Sequence, residues 1–378
     1  MVAQCRPLRA VLAEIPECRA ARGKRHPLPA ILALLCVAAL CGYRSYSAAA
    51  EWARVYPEEL VRALGFTRSR PPCAATLCGV VRRLDREQVE AKLAAWAEEV
   101  LGSLPPARGE DEAVALDGKT LRGSRRQGAP DVHLLSALSH RLGLTLGQRA
   151  VDDKTNEIAV AVPLLRGLIL EGRVFTMDAL LTQRAIAQAI VAGGGDYVMA
   201  VKDNQPQLLA DVQAVFDDPP PGDTRRVAAS LDSRHGRIER RRLTASGALA
   251  GYGDWPGLRQ VFRLERRTIL AATGAVRGET VYGITSLGPR RASAGRLLRL
   301  TRQHWRIENR SHWVRDVTFD EDRSQVRRGS TPEVMAALRN TAIGLLRADG
   351  ATNVAAACRR LAAQPAAALA LIGFPTDN

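Results

Sequence analysis

The sequence predicts an α/β protein. A mixed sheet of order βββαβαβ is followed by a helix, preceded by a helical N-terminal module and interrupted by a β-rich insertion. Three observations predict this. Apolar residues recur at helical spacing up to about residue 105, then fall into short strand-like runs from about residue 112. Two of those runs close on an aspartate, Asp117 in VALDGKTLRGS and Asp178 in RVFTMDALLTQ. A basic amphipathic segment near the end, RQHWRIENRSHWVRDVTF, carries Glu308. The expected divisions are a helical module over 1–105, the first part of the core over 110–203, the insertion over 204–290, and the core helix with C-terminal helices over 291–378.

In the first stretch, HPLPAILALLCVAALCG reads as an apolar helix ended by Gly42, and SYSAAAEWARVYPEELVRALG as a helix with Gly65 as its C-cap. After the Pro71-Pro72 break, CAATLCGVVRRLDREQVEAKLAAWAEEVLGSL keeps helical spacing, and LPPARGEDE reads as a linker. EAVALDG is a buried strand, and VHLLSALSH and LGLTLGQRAVD are two more around a tight turn near Arg141–Gly143. KTNEIAVAVPLLRGL is a helix capped by Thr155 or Asn156, with Pro163 set to kink or divide it. RVFTMD, TQRAIAQAIVAGG and DYVMAVK continue as strand, helix and strand. That order, with aspartates ending the first and fourth strands, is that of a ribonuclease-H-like (RNase H-like) core. GRIERRRLTAS, LRQVFRLERRTIL and ETVYGITSL supply the inserted strands. A helix over about 293–315 resumes the core, and a further helix has Thr331 as N-cap and Pro332 at its first position.

The net charge is +15, from 54 Lys plus Arg against 39 Asp plus Glu, which suits a polyanionic partner. Aromatic residues make up only 4% of the chain, too few for a platform that stacks single-stranded bases. The apolar run Ala30–Leu40 is shorter than the roughly 18–20 residues that span a bilayer, and no secretory signal is visible. The seven cysteines include no CxxC pair, which argues against zinc and fits a reducing cytoplasm.

Two aspartates and a helical glutamate are suited to phosphodiester chemistry. Two Mg²⁺ ions (Mn²⁺ as substitute) about 3.5–4 Å apart activate the attacking oxygen and stabilise the leaving one. Carboxylates are the hard ligands such ions need. Asp117 is expected to bridge the pair, with Asp178 and Glu308 each completing one ion. Bland roles stay open for each: a turn for Asp117, a helix cap for Asp178, an Arg315 pair for Glu308. Asp152, Asp153, Asp196 and Asp316 are nearby competitors. On a helix at about 100° per residue, Thr301, His304, Glu308 and Arg315 share one side. Arg296, Arg299, Arg302, Arg306 and Arg310 line the other, facing solvent or a phosphate backbone. Lys119, Lys202, Asn204 and Gln205 lie beyond strands and either touch DNA or bind loop carbonyls. HGRIERRR, with Arg237, is either a DNA contact or a charge-guarded edge strand. No GxSxG, Walker A or HExxH pattern occurs.

The blocks ALDGKTLRGS, DKTNEI, DALLTQ, GGDYVMAVKDNQPQL, HGRIERRR and HWRIENRSHWVRDVTFDEDRSQVRRG follow RHPLPAILALLCVAALCG and EWAR in order. Together they resemble the DDE transposases of bacterial insertion sequences, of the H-repeat-associated type. The resemblance implies an RNase H-like domain with Asp117, Asp178 and Glu308 as the catalytic, metal-holding triad. It implies cleavage at element ends and strand transfer to a target, with double-stranded DNA as partner and a homodimer handling two ends together. The expected place of work is the cytoplasm, on the nucleoid. Related enzymes carry Tyr, Arg, Glu and Lys where Thr301, His304, Glu308 and Arg315 stand, so only the glutamate is identical. His304 and Arg315 remain candidate DNA contacts. The alternatives are an inactive DNA-binding derivative and a metal-dependent nuclease without strand transfer.

Overall fold

The computed structural model describes residues 5–21, 24–68, 70–104, 111–125, 130–151, 156–234, 236–305 and 307–375. Asp152, Asp153, Thr155, His235, Arg306 and most of the expected linker lie outside them. The chain forms two compact units, one of Met1–Gly109, Gly118–Lys154 and Ile307–Asn378, the other of Glu110–Asp117 and Thr155–Arg306.

The chain begins with helices α1 (Leu8–Ala13), α2 (Leu28–Leu40), α3 (Tyr46–Val55), α4 (Glu58–Ala63), α5 (Ala74–Val81) and α6 (Arg86–Ser103). Two expected long helices are each divided. Pro57, which lacks an N–H, separates α3 from α4. Asp85 separates α5 from α6 by accepting the Glu87 and Gln88 backbone N–H groups as N-cap. Gly42 and Gly65 have positive φ, 81° and 96°, and close their helices as expected.

Strands β1 (Glu112–Leu121), β2 (Val132–Ser139) and β3 (Thr145–Val151) follow, then α7 (Glu157–Leu165), β4 (Arg173–Met177), α8 (Arg184–Ala192), β5 (Asp196–Val201) and α9 (Pro206–Asp217). Asn156 caps α7, and the helix ends two residues after Pro163. Helix α9 falls where strands and turns are expected. Its signal is Pro206 in the first turn with Leu208, Val212, Val215 and Phe216 buried on one face.

The remaining strands are β6 (Arg226–Arg234), β7 (Arg237–Ser246), β8 (Gln260–Leu270) and β9 (Val276–Thr285). They are followed by α10 (Ala294–His304), a π-helical turn over Glu308–His312, α11 (Trp313–Val317), α12 (Thr331–Ala348), α13 (Val354–Ala363) and α14 (Pro365–Leu371). The single helix expected over 293–315 is therefore interrupted. Ser330, one residue earlier than expected, is the N-cap position of α12.

In the first unit β3, β2 and the end of β1 are neighbours in that order, and β2 and β3 are antiparallel. Helix α12 is buried along nearly its whole length, against α2, α6 and β3. Gln148 of β3 ties these elements together. Its amide donates to Glu90 at 2.9 Å, and its carbonyl accepts from Asn340 at 2.9 Å.

In the second unit the order is β1-β4-β5-β9-β8-β7-β6. β1, β4 and β5 are parallel, while β9 joins β5 antiparallel, Val198 opposite Thr285. The strands of the expected insertion thus extend the core sheet instead of forming a sheet of their own. Helix α10 packs Leu297, Leu298 and Leu300 into the same apolar cluster as Val174, Val198, Leu243 and Phe262. The protein is a mixed α/β fold, and no helix among the described residues is long and apolar enough to cross a membrane.

Candidate functional site

In the second unit the register of β1 on β4 ends with Leu116 opposite Met177. Asp117 and Asp178 are the next residues on two adjacent parallel strands, whose backbones lie about 4.8 Å apart. The two aspartates are therefore neighbours, each leaving an apolar, buried strand. Asp117 lies inside β1, which runs on to Leu121, so the strand is longer than the EAVALDG run suggests.

Asp178 begins a turn, and its carboxylate accepts the Leu181 N–H at 3.3 Å. Loss of surrounding water, aided by the charge of Glu157, raises its pKa, while Leu181 N–H and Lys202 oppose that. Asn204 donates to the Ala179 carbonyl at 2.6 Å and Gln205 to the Thr182 carbonyl at 3.0 Å. These two side chains thus hold the Asp178 turn. Lys202 is exposed, and so is Arg237 at the tip of the β6–β7 hairpin. β7 is an interior strand between β6 and β8, not an edge, so its charges do not guard an open strand.

His304 ends α10 with its Nδ1 atom 3.0 Å from the Thr176 hydroxyl. Burial pushes its pKa down to about 4, against the opposing effect of a hydrogen bond to the Thr176 backbone. The unfolded chain takes up a proton near the ordinary value of 6.5 that the folded chain refuses until about pH 4. His304 therefore costs no stability above pH 6.5 and a growing amount as pH falls from there to about 4. In denaturant titrations His304→Gln is expected to flatten the wild-type decline across that window. An unchanged decline would show that His304 charges normally.

In the first unit Glu308 opens the π-helical turn and His312 ends it, with Glu308 Oε2 3.4 Å from His312 Nδ1. His312 is buried, whereas the Glu308 side chain is 58% exposed. The His312 hydrogen bond holds the Glu308 carboxyl below its usual range, helped by the charge of Lys119 and opposed by partial burial. The sequence reading missed His312, although its i,i+4 spacing from Glu308 in ENRSH is a signal for a helical pair.

Lys119 is buried within β1, its ammonium 2.7 and 2.8 Å from the two carboxylate oxygens of Asp316. Arg315 is wholly buried. Its Nε donates to Glu321 Oε2 at 2.7 Å, and Arg339 donates to the other oxygen of Glu321 at 2.8 Å. Arg315 is thus the partner of Glu321 and not of Glu308, and a strand of DNA would reach it only if this network opened. Gly123 permits the close approach of the 321–324 backbone, because a Cβ there would stand 2.5 Å from the Glu321 carbonyl. The glycine of the LRGS block therefore has a packing reason.

The expected arginine stripe is largely engaged by protein. Arg296 bonds Asp111 and the Arg291 carbonyl, Arg302 bonds Asp232, and Arg310 bonds the His140 and Arg141 carbonyls. A π-turn also widens the helix locally, so residues beyond it leave the face that a regular α-helix would give them.

Comparison with known proteins gives this geometry a context. Residues 108–345 match the family described as "Transposase DDE domain", and residues 9–97 match one described as "DDE_Tnp_1-associated". The chain is 31% identical over 349 residues to "Putative protein YbfL" of Escherichia coli (strain K12), covering 89% of each chain. It is 30% identical over 349 residues to "H repeat-associated putative transposase YhhI" of the same organism, again covering 89% of each. A cryo-EM structure of the piggyBac transposase synaptic complex with hairpin DNA shows a distant likeness. Its TM-score is 0.43 at 10% identity, over 96% of this chain and 76% of that one.

Proposed function

Since the chain belongs to the transposase DDE domain family, we propose that it cuts phosphodiesters at the ends of an insertion element and transfers the strands to target DNA. The observation that carries this reading is the register that makes Asp117 and Asp178 neighbours on adjacent parallel strands. The parallel strand order β1-β4-β5 within the second unit supports an RNase H-like core. Asp117, Asp178 and Glu308 are the groups that would hold divalent cations. Three carboxylates form a hard oxygen donor set that fits Mg²⁺ or Mn²⁺, and the raised pKa of Asp178 fits a carboxylate that gains from a nearby cation. Such ions supply Lewis acidity to both the attacking and the leaving oxygen.

The chain's own residues do the positioning. His312 orients Glu308 and lowers the pKa of its carboxyl. Asn204 and Gln205 fix the turn that aims Asp178. Lys119 places a cation in β1 two residues beyond Asp117, neutralised by Asp316 and not offered to a phosphate. The exposed Lys202 and Arg237 are the DNA contacts we favour. Double-stranded DNA at element ends and at the target is the proposed partner, bound by a homodimer in the cytoplasm.

The test uses labelled duplexes carrying the two DNA ends that flank the encoding locus, incubated with protein and Mg²⁺ or with chelator. Metal-dependent nicks at the ends, together with joined products on a denaturing gel, are expected. Nicks never followed by joining would mean a nuclease, and tight binding with no nick in Mg²⁺ or Mn²⁺ would mean an inactive DNA-binding derivative.

A further inference from the structure

Side chains alternate between the two sides of a strand, so the extension β9-β8-β7-β6 has two faces, and they differ in character. On the face that packs against α10, the charges away from the hairpin tips are matched. Arg241 bonds Asp232 at 2.8 Å and Glu239 at 2.6 Å, Arg302 bonds Asp232 at 2.9 Å, and Arg266 bonds Glu279. The opposite face is covered near the core by α9, where Phe216 lies beside Tyr282 and Arg263. Farther out it is open. There Arg240 stands directly opposite Arg267, and Arg242 opposite Glu265. These four residues line a trough of about 500 Å³ that continues over Gly278 and Thr280 of β9.

Arg240, Arg242 and Arg267 are exposed, and none of them has an ion pair or hydrogen bond among the described residues. Of the two glutamates at the trough, Glu279 is taken by Arg266, and Glu265 forms no ion pair with Arg242. Like charges directly opposite on neighbouring strands are destabilising, so the Arg240–Arg267 pair is a cost that no carboxylate of the fold offsets. Nor do these charges guard an edge, since β7 and β8 are interior strands. Forked cations set side by side in this way fit an anion with many oxygens.

The register places this face relative to the aspartates. Leu116, Met177, Met199 and Ile284 stand opposite one another in turn, and Asp117 and Asp178 follow Leu116 and Met177. β9 runs the other way, so its residues before Ile284 continue past the aspartates in the same direction. The Arg240–Arg267–Gly278 row therefore lies about 17 Å farther along the strands than Asp178 and about 14 Å across them. Lys202, exposed and one residue beyond β5, stands between the two.

We propose that the open face of β7 and β8 holds the phosphate backbone of a DNA duplex that also passes the aspartates. The identification of the polyanion as DNA rests on the transposase reading above. A duplex rises about 3.4 Å per base pair, so about six or seven base pairs bridge the roughly 22 Å between aspartates and arginines. The rival occupant is a second copy of the chain, seated on the exposed Leu231 and Val276 of the same extension. A two-fold axis there would bring the same three arginines face to face, which disfavours it.

The test measures duplex binding by the full chain in chelator, where no cutting interferes, over a range of salt concentrations. Arg240 and Arg267 have no partner to lose, so Arg240→Ala/Arg267→Ala is expected to keep the fold, as circular dichroism and an unlowered urea midpoint check. Each phosphate contact adds about 0.9 to the slope of log K against log salt, so this variant should bind more weakly with a slope shallower by about 1.8. Arg240→Lys/Arg267→Lys keeps the charge and should stay within about half a unit of the wild type. Arg54→Ala/Arg166→Ala removes the same charge at exposed arginines elsewhere and should also stay within about half a unit. An unchanged slope in the Arg240/Arg267 alanine variant, or an equal drop in the control, overturns the proposal and leaves the face to another occupant. Protein that binds duplex through this face yet never cuts it with Mg²⁺ would sink the transposase reading and leave the face assigned. Cutting with an unaltered slope would do the reverse.

Discussion

Asp117→Ala, Asp178→Ala and Glu308→Ala are each expected to lower end cleavage and strand joining by at least about 10³-fold while leaving duplex binding in chelator nearly unchanged. Groups that act as one unit fail together. Removing one therefore costs about as much as removing all three, and the triple variant should be scarcely slower than any single one. The control is built into the fold. Asp316 is a nearby carboxylate already engaged by Lys119. Asp316→Asn is expected to affect stability more than turnover. The discriminating readout is the ratio of cleavage to binding measured for each variant on one duplex. Full cleavage by Asp178→Ala would remove Asp178 from the chemistry and leave its bond to the Leu181 N–H as its role.

The second large effect concerns stability. Glu321→Ala strands two buried guanidiniums, Arg315 and Arg339, whose side chains are 0% and 3% exposed. Breaking a buried ion network by removing one partner costs about 3–5 kcal/mol. In urea titrations the variant should therefore lose that much, a large fraction of the roughly 5–15 kcal/mol that holds an ordinary domain folded. Burial alone would raise the Glu321 pKa, but Arg315 and Arg339 outweigh it and leave the group lowered from 4.5. A lowered folded pKa stabilises the fold above the unfolded value. That contribution is present above about pH 4.5 and is lost as pH falls through the folded pKa. The wild type should therefore lose this stability only on acidification below that point. Glu321→Gln should start lower and fall less. Equal acid sensitivity of the two proteins would show that Glu321 is not the group that titrates.

Local pattern made much of this architecture legible. The change of period near residue 112 marks where helices give way to strands, because buried strands and amphipathic helices bury apolar side chains at different spacings. Asp117 and Asp178 stand out because each is the first charge after an apolar run, and the register of β1 on β4 makes them neighbours. Helix α9 was also within reach of periodicity, yet the prolines and glycines around it read as turns. The helix around Glu308 shows the limit of such reasoning. An assumed 100° step cannot foresee a π-turn, and one turn changes which residues share a face.

Contiguous residues were enough for the family, the order of strands and helices from β1 to β5, and the two strand-borne aspartates. Packing between distant segments set the rest: β9 extends the sheet from β5, Lys119 meets Asp316, and Arg315 is buried against Glu321. It also turned Asn204 and Gln205 inward to loop carbonyls and set Arg240 opposite Arg267. The physical reason is the same in each case. A long polar side chain has many partners of similar energy within reach of its chemistry. Which one it meets depends on packing between segments far apart in the chain, to which local hydrophobic spacing is blind.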